Sequence, residues 1–362
     1  MKKQNIAKNF FKQLRKSSIL SSTDATYLAQ LGVRLAPEII NMHPAQDPFR
    51  QRLASKARIN SDRAATYVTL DEIDFVTASD AFFEEGHCPV GVDYTKTQAA
   101  KVKKHYGVEG GLTNAAIAAM AGAQNAQGID NKVMSEEERT LEILNIAFRN
   151  SEEWAMINGD DSANPLAFNG LAIEVSSANG SLEVDLSGAD LTKADIDNVI
   201  AVQALRGIHV TGILANPLTI NHIKSLYHPA GAATPNMTEN AQLNPFNYVT
   251  IPGPNGNVDL VPSPKVPVTY VSGTDYNSTV YLLTETHNGV DLMYMDYLIP
   301  QSVLPSEVFN DGSRCTSVDY GMYAVGTLVN RAPVAQAKIV NAGFNASASL
   351  SSDVVSLSSK KI

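Results

Sequence analysis

The segment "SEEERTLEILNIAFRNSEEWAMINGDD" constrains this chain more than any other. Ser135 and Glu138 have capping-box spacing, in which the serine accepts from the third helical amide and the glutamate reaches back to the cap. Three consecutive glutamates also suit the positive end of a helix. The pattern predicts a helix from about Glu136 to Ile157, roughly 33 Å long at ~1.5 Å per residue. Leu141, Leu144, Phe148 and Ala155 mark one apolar stripe, and Ile143, Ala147 and Trp154 a neighbouring one. A helix so broadly apolar needs partners on more than one side. Gly159 is expected to stop it.

The corner that follows, "INGDDSANPLAFNGLAIEV", carries Asn158, Gly159, Asp160, Asp161, Asn164, Pro165, Asn169 and Gly170 before an apolar segment that reads as a strand. It is no calcium loop: with Asp160 first, Pro165 stands where glycine is needed and Leu171 where the bidentate glutamate belongs. Its aspartates read as turn formers that bond local amides. The other nucleophile, zinc, phosphate-loop and CxxC signatures are absent from the sequence, and the seven histidines are scattered. No catalytic residue, metal site or cofactor is therefore expected.

Before the long helix, Val68 and Leu70 alternate with polar neighbours, then Ile73 and Phe75 do, as in a strand with a slip between the pairs. After a turn around Gly86, Pro89 and Gly91, alternation returns in Ala100, Val102, Tyr106 and Val108. This reads as a long β-hairpin over 65–111, closed by Gly110 and Gly111. Its charges are segregated. One limb carries Asp71, Glu72, Asp74, Asp80, Glu84 and Glu85; the other carries Lys96, Lys101, Lys103 and Lys104. Either the limbs neutralise each other, or the hairpin is an arm that pairs with neighbouring subunits.

Residues 1–16 hold Lys2, Lys3, Lys8, Lys12, Arg15 and Lys16 and no acid, while the whole chain carries −9. Ile6, Phe10 and Leu14 add helical spacing, so the start reads as a basic amphipathic arm without the apolar core of a signal peptide. Prolines 37, 44 and 48 interrupt any long helix over 20–62, which reads as an extended arm with short helical pieces. The acidic remainder argues against a dedicated nucleic-acid binder. Charged residues make up only 18%, below the roughly 25% of typical soluble proteins. Subunit interfaces are depleted in charge in the same way. Cys88 and Cys315 lie far apart and read as inert thiols of a cytoplasmic chain.

Beyond the corner, Thr192 and Asp195 start a second helix through Ile196, Val199, Ile200 and Leu205, ending at Arg206-Gly207. "IHVTGILA" follows as a buried strand, and Asn216-Pro217 caps a third helix through Ile220, Ile223 and Leu226. Residues 229–266 read as a Pro/Asn/Gly-rich loop with one short strand. The last third is β-rich, and the tail after Phe344 is Ser-rich.

In this order the chain resembles the major capsid proteins of tailed bacteriophages, the Hong Kong 97-type fold. "SEEWAMINGDDSANPLAFNGLAIEV" resembles the end of that family's spine helix, and "IHVTGILANPLTINHIKSLY" its axial-domain strand and helix. "VDLVPSPKVPV", "DLMYMDYLI" and "GMYAVGTLVNRAPVAQAKIV" are similar to its closing strands. The resemblance implies an α+β fold with an N-terminal arm (1–64), an extended loop (65–111), and a peripheral domain (112–185) with the spine helix at 135–158. An axial domain (186–300), return strands of the peripheral domain (301–343) and a tail (344–362) would complete it. Peripheral strands would come from about 160–185 and 315–342.

It further implies a structural protein that self-assembles into hexamers and pentamers of an icosahedral head around double-stranded DNA, found in the virion and assembled in the host cytoplasm. Implied partners are a portal protein, packaged DNA held without sequence preference, and in some members a decoration protein; no membrane is involved. The ten charged hairpin residues would be interface residues, and the six basic residues of 1–16 would face inward. The 64 residues before the hairpin lack the long charged helical pattern of a coiled scaffold. A separate scaffolding protein, with no propeptide removed, is therefore expected. The rivals are a bacterial nanocompartment shell of the same fold and a cytoplasmic hydrolase.

Overall fold

The computed structural model describes residues 47–73, 94–113, 136–227, 238–239, 249–272, 275–308 and 317–345. The predicted capping box at Ser135, the basic arm and the Ser-rich tail lie outside the described side chains. The described residues fall into two compact units. One holds 107–113, 136–148, 301–308 and 317–323, and the other holds 47–73, 94–106, 149–227, 238–239, 249–272, 275–300 and 324–345.

Asp47-Pro48 opens α1 (Pro48–Ala54), with proline at its first position, where the missing N–H is no loss. Phe49 and Leu53, one turn apart, are buried. β1 (Arg58–Ile59) follows, then β2 (Ala64–Ile73) and β3 (Tyr94–Val102), which pair antiparallel as a two-stranded ribbon. Their register shifts between Leu70 and Ile73, where the change of alternating face predicted a slip. The hairpin is shorter than the sequence pattern implied. β4 (Lys104–Thr113), read as part of the return limb, leaves the ribbon for another sheet. Alternation cannot tell which strand a strand will pair with, so the limb and its continuation look alike in sequence.

α2 (Glu136–Asn158) is the long helix, ending one residue later than predicted. Leu144 and Phe148 are buried as expected. Farther along, the buried positions are Glu152, Glu153, Met156 and Ile157. Trp154 is only half-buried and Ile143 is exposed, so the second apolar stripe does not face the core. "GLAIEV", expected as a strand, is instead one helical turn, α3 (Leu171–Glu174), with Leu171 fully buried. A short apolar run does not distinguish a short buried helix from a strand.

β5 (Leu182–Asp185) leads to α4 (Lys193–Leu205), which starts where predicted and whose Thr192 side chain and Asp195 form a reciprocal cap. β6 (Gly212–Ala215) is buried along its whole length, and α5 (Pro217–Tyr227) opens with the Asn216 side chain accepting from Leu218 N at 3.1 Å. Beyond β7 (Thr238–Glu239), the expected long loop contains a hairpin of β8 (Val249–Gly253) and β9 (Gly256–Pro262). β10 (Val268–Ser272), β11 (Asp275–Leu283), β12 (Thr286–His287), β13 (Val290–Asp291), β14 (Met293–Val308), β15 (Ser317–Asn330) and β16 (Ala337–Asn345) complete the chain.

The largest sheet runs β5-β16-β11-β6-β9-β8-β7, with β10 also paired to β11. β6 and β9 are parallel, so α5 is part of the crossover that parallel neighbours require. Ile196, Val199 and Ile200 of α4 and Ile220, Ile223 and Tyr227 of α5 pack with Ile213, Leu260, Val280, Leu282 and Ile339 in one apolar core. A four-stranded sheet is ordered β1-β14-β15-β4. The strands expected together from 160–185 and 315–342 are divided: β15 lies in the four-stranded sheet, β5 and β16 in the larger one. β16 is buried on both faces over most of its length, which suits a strand between β5 and β11.

Candidate functional site

Each polar residue of the corner after α2 closes a local hydrogen bond. The Asp160 carboxylate accepts from the amides of Ser162 and Ala163 at 2.8 and 3.2 Å, and the Asn164 side chain accepts from Leu166 N. Asn169 Oδ1 accepts from Asp161 N at 2.9 Å, and Gly170 N donates to Gly159 O at 2.9 Å, pinning the loop's two ends together. Asn158 Nδ2 donates to Lys265 O at 2.8 Å. Gly159 is required by close approach: a Cβ there would stand 2.2 Å from Phe168 O and 2.5 Å from Ala155 O. Its φ is not left-handed, so the stop differs from the αL cap that the sequence implied. The corner reverses the chain, and its Asp160 carboxylate faces backbone amides.

The densest electrostatics in the described residues lie where α1 crosses α2. Glu153 is fully buried and accepts from Phe49 N at 3.3 Å, Arg50 N at 2.6 Å and Ser263 Oγ at 2.7 Å. Burial pushes its carboxyl up to about 7, against the pull of those three donors, with the nearby Asp47 charge adding to the rise. Glu152 takes the Arg50 guanidinium and accepts from the Tyr106 and Tyr297 hydroxyls at 2.5 and 2.9 Å. Asp47 holds Arg149 in a two-point contact at 2.7 and 2.9 Å. On the other side of α1, Arg52 reaches Glu285, Asp259 at 2.6 Å and the Thr211 carbonyl at 3.0 Å, and Lys56 joins Glu285. Residues 47–56 thus form a charged strap across the unit. Sequence reading missed it: Asp47-Pro48 before Phe49 and Leu53 was a start signal, but nothing local marks acids roughly a hundred residues away as its partners.

The hairpin lysines are placed differently from one another. Lys103 is buried, 2.9 Å from Asp296, and donates to Asn60 O at 3.0 Å. Lys101 pairs with Glu174 and donates to Leu328 O at 3.4 Å; burial lowers its ammonium below the usual lysine range, partly offset by Glu174. Lys104 is half-buried and donates to Pro165 O at 2.7 Å in an exposed contact. These contacts lie within one subunit, and their acids are Asp296 and Glu174. Lys101 and Lys103 thus meet the body of the unit where the ribbon ends, while the side chains of the opposite limb's acids lie outside the described ones. Lys96 stands opposite Leu70 on the ribbon, and Asp71 and Glu72 fall at its register shift. Asp74, Asp80, Glu84 and Glu85, and the basic residues of 1–16, lie outside the described residues.

At its base the ribbon packs Ala65, Tyr67 and Ala99 on Tyr294 and Val329, while Val68 and Val102 are exposed. Among the described residues no group of His, Cys, Asp and Glu is arranged to hold a metal ion, and no helix is long and apolar enough to cross a membrane.

No family model and no curated protein sequence matches this chain. Solved structures do. The holo-SrpI encapsulin of Synechococcus elongatus PCC 7942 superposes with a TM-score of 0.57 at 14% identity, over 90% of this chain and 98% of that one. The capsid of cyanophage A-1(L) gives 0.57 at 11% identity, over 85% and 96%. The capsid of Myoviridae phage XM1 gives 0.51 at 13% identity, over 87% and 98%. Strap, ribbon, long helix and sheets together form the Hong Kong 97-type α+β fold of phage capsid and encapsulin shell subunits.

Proposed function

We propose that this chain is a structural shell subunit, the major capsid protein of a tailed phage, assembling as hexamers and pentamers of an icosahedral head around double-stranded DNA. The observation that carries the reading is the end-to-end likeness: capsid subunits are covered over nearly their whole length. In this reading 186–300 supplies most of the axial domain, the ribbon meets a neighbouring subunit, and the basic residues of 1–16 face inward. A portal protein, a separate scaffolding protein and, in some heads, a decoration protein would be its partners. The ribbon supports an assembly role, since an isolated two-stranded sheet is only marginally stable by itself. Its outer edges have no strand partner among the described residues.

The second reading is an encapsulin shell, favoured by the SrpI likeness, which is as good as that to any capsid named above. Electron microscopy of the purified protein, followed by analysis of particle contents, separates the two. Shells packed with double-stranded DNA in native particles support the phage head, and an enclosed protein cargo supports the nanocompartment. A soluble small oligomer that forms neither rings nor shells, with or without scaffolding protein, would overturn both. Charge reversal at Asp71, Glu72 and Lys96 tests the ribbon, because those positions lie on its two strands. Unchanged assembly of that variant would remove the ribbon from the interface. Deleting residues 1–16 should lower packaging or assembly fidelity, and DNA-filled particles formed at the normal yield would exclude an inward role.

A further inference from the structure

We propose that copies of this chain join head to tail in a ring through two uncovered patches at opposite ends of the largest sheet. Tyr270 and Val271 of β10 on one copy seat against the outward face of α4 on the next. The contact rests on the reading of the chain as a shell subunit, and names the surfaces such a ring would use.

α4 lacks a charged outer face. Ile196, Val199 and Ile200 point into the core, while Ala194, Asn198, Ala201, Val202 and Leu205 are exposed at helical spacing and carry no charge. Leu205 is 88% exposed. The neighbouring α5 exposes Asn221 and Ser225 instead, as a helix facing water does. Beside the α4 face, Asp197, Ile200 and Ala201 line an open depression of about 310 Å³ together with Pro252 and Pro254 at the β8–β9 turn.

The other patch is an edge strand. β10 pairs with β11, and its outer edge has no strand partner among the described residues. Neither lysine nor proline protects it. Val271 is the extra residue of a bulge between the Tyr270–Tyr276 and Ser272–Asp275 pairs. A bulge disfavours pairing with a further strand, which leaves side-chain docking as the way to cover this edge. Tyr270 and Val271 are half-exposed. The Tyr270 ring is the outer end of an aromatic stack, edge-on to Tyr276 at 5.6 Å between centroids, with Tyr276 stacked on Phe344 at 5.8 Å. A tyrosine held in this way is a rigid anchor of the kind that dominates interface energetics.

Position, charge and chemistry make a second copy the cover. β6 runs from Gly212, level with Asp259 and Leu283, to Ala215, level with Pro262. The β8–β9 turn lies before Gly212 and β10 lies beyond Ala215, so the patches sit at opposite ends of one sheet. Two different patches so placed make a heterologous contact, the kind that closes into rings. Arg206 is exposed beside Leu205, and Asp275 is exposed beside the Tyr270 patch; neither has an ion-pair partner among the described residues. Asp197, which accepts from Tyr227 Oη at 2.6 Å, stands on the wall of the depression and supplies the polar partner that a buried phenol needs.

Sedimentation and electron microscopy of the full-length protein test the contact. Leu205→Asp and Tyr270→Asp should each leave the circular dichroism of the fold unchanged and raise the concentration needed for rings or shells by about tenfold or more. Arg206→Asp and Asp275→Arg should each weaken assembly and together restore it, and this swap decides the matter if an aspartate variant fails to fold. Rings formed by both aspartate variants at the natural concentration overturn the contact and leave the shell reading standing. A charge-swapped double variant no better than its singles does the same. If Leu205→Asp forms rings normally but closes no shells with scaffolding protein, the α4 face serves the scaffold, and the copy-to-copy contact is overturned. Natural protein that forms neither rings nor shells overturns the shell reading and the contact with it.

Discussion

Two parts of the larger unit are built by opposite means. Around α4, β6 and α5 the interior is apolar, with Ile196, Ile213, Ile223 and Val280 fully buried and helix caps at Thr192 and Asn216. Around the strap and the base of the ribbon the interior is ionic: Glu152, Glu153, Asp47, Lys103 and Asp296 are buried beside one another's partners. The apolar part tolerates a change of contact, because hydrophobic burial is non-directional and scales with area. The ionic part does not, because a buried charge that loses its partner keeps its desolvation penalty. What holds α1 and the ribbon base in place is therefore specific pairing as much as mass of burial.

The comparison breaks first, if it breaks, at Lys103. Replacing it with methionine leaves Asp296 buried without its cation, and should lower stability by about 3–5 kcal/mol in chemical denaturation. Adding Asp296→Leu should restore most of that loss. A double variant as weak as the sum of both singles would mean the pair is not coupled.

Ile213→Ala in the apolar part should cost about 2–5 kcal/mol through lost burial and a residual cavity. Here no second substitution across the core should act as Asp296→Leu does for Lys103, since no unpaired group is left behind. Thr192→Ala removes one half of a surface cap and should cost about 1 kcal/mol, seen as a modest drop in melting temperature. Lys104→Ala should change folding stability by less than about 0.5 kcal/mol, its single bond to Pro165 O being exposed. If that variant folds normally yet assembles poorly, Lys104 belongs to the contact between subunits. Normal assembly would leave it a corner residue alone.

Much of this contrast is legible in the order of residues, and the unreadable part has one cause. Thr192 with Asp195, Arg206-Gly207 and Asn216-Pro217 announce helix ends from neighbours within a few residues, and the register shift in the ribbon follows from a change of alternating face near Leu70. Such signals are local because backbone amides are satisfied locally. The long helix is equally readable, but its buried face is not. Trp154 reads as core and Glu153 as surface, whereas the fold buries Glu153 and leaves Trp154 half-exposed.

The sequence alone determined where the three longest helices run, which strands alternate, that the corner after Asn158 turns on its own side chains, and the fold that this order implies. Only the tertiary structure decided that β4 leaves the ribbon, that β5 pairs with β16 at one end of the largest sheet, and that the lysines at the ribbon base serve Glu174 and Asp296. Strand partners and ion-pair partners are chosen across long separations by mutual geometry. An acid carries no local mark of whether water or an arginine about a hundred residues away will neutralise it.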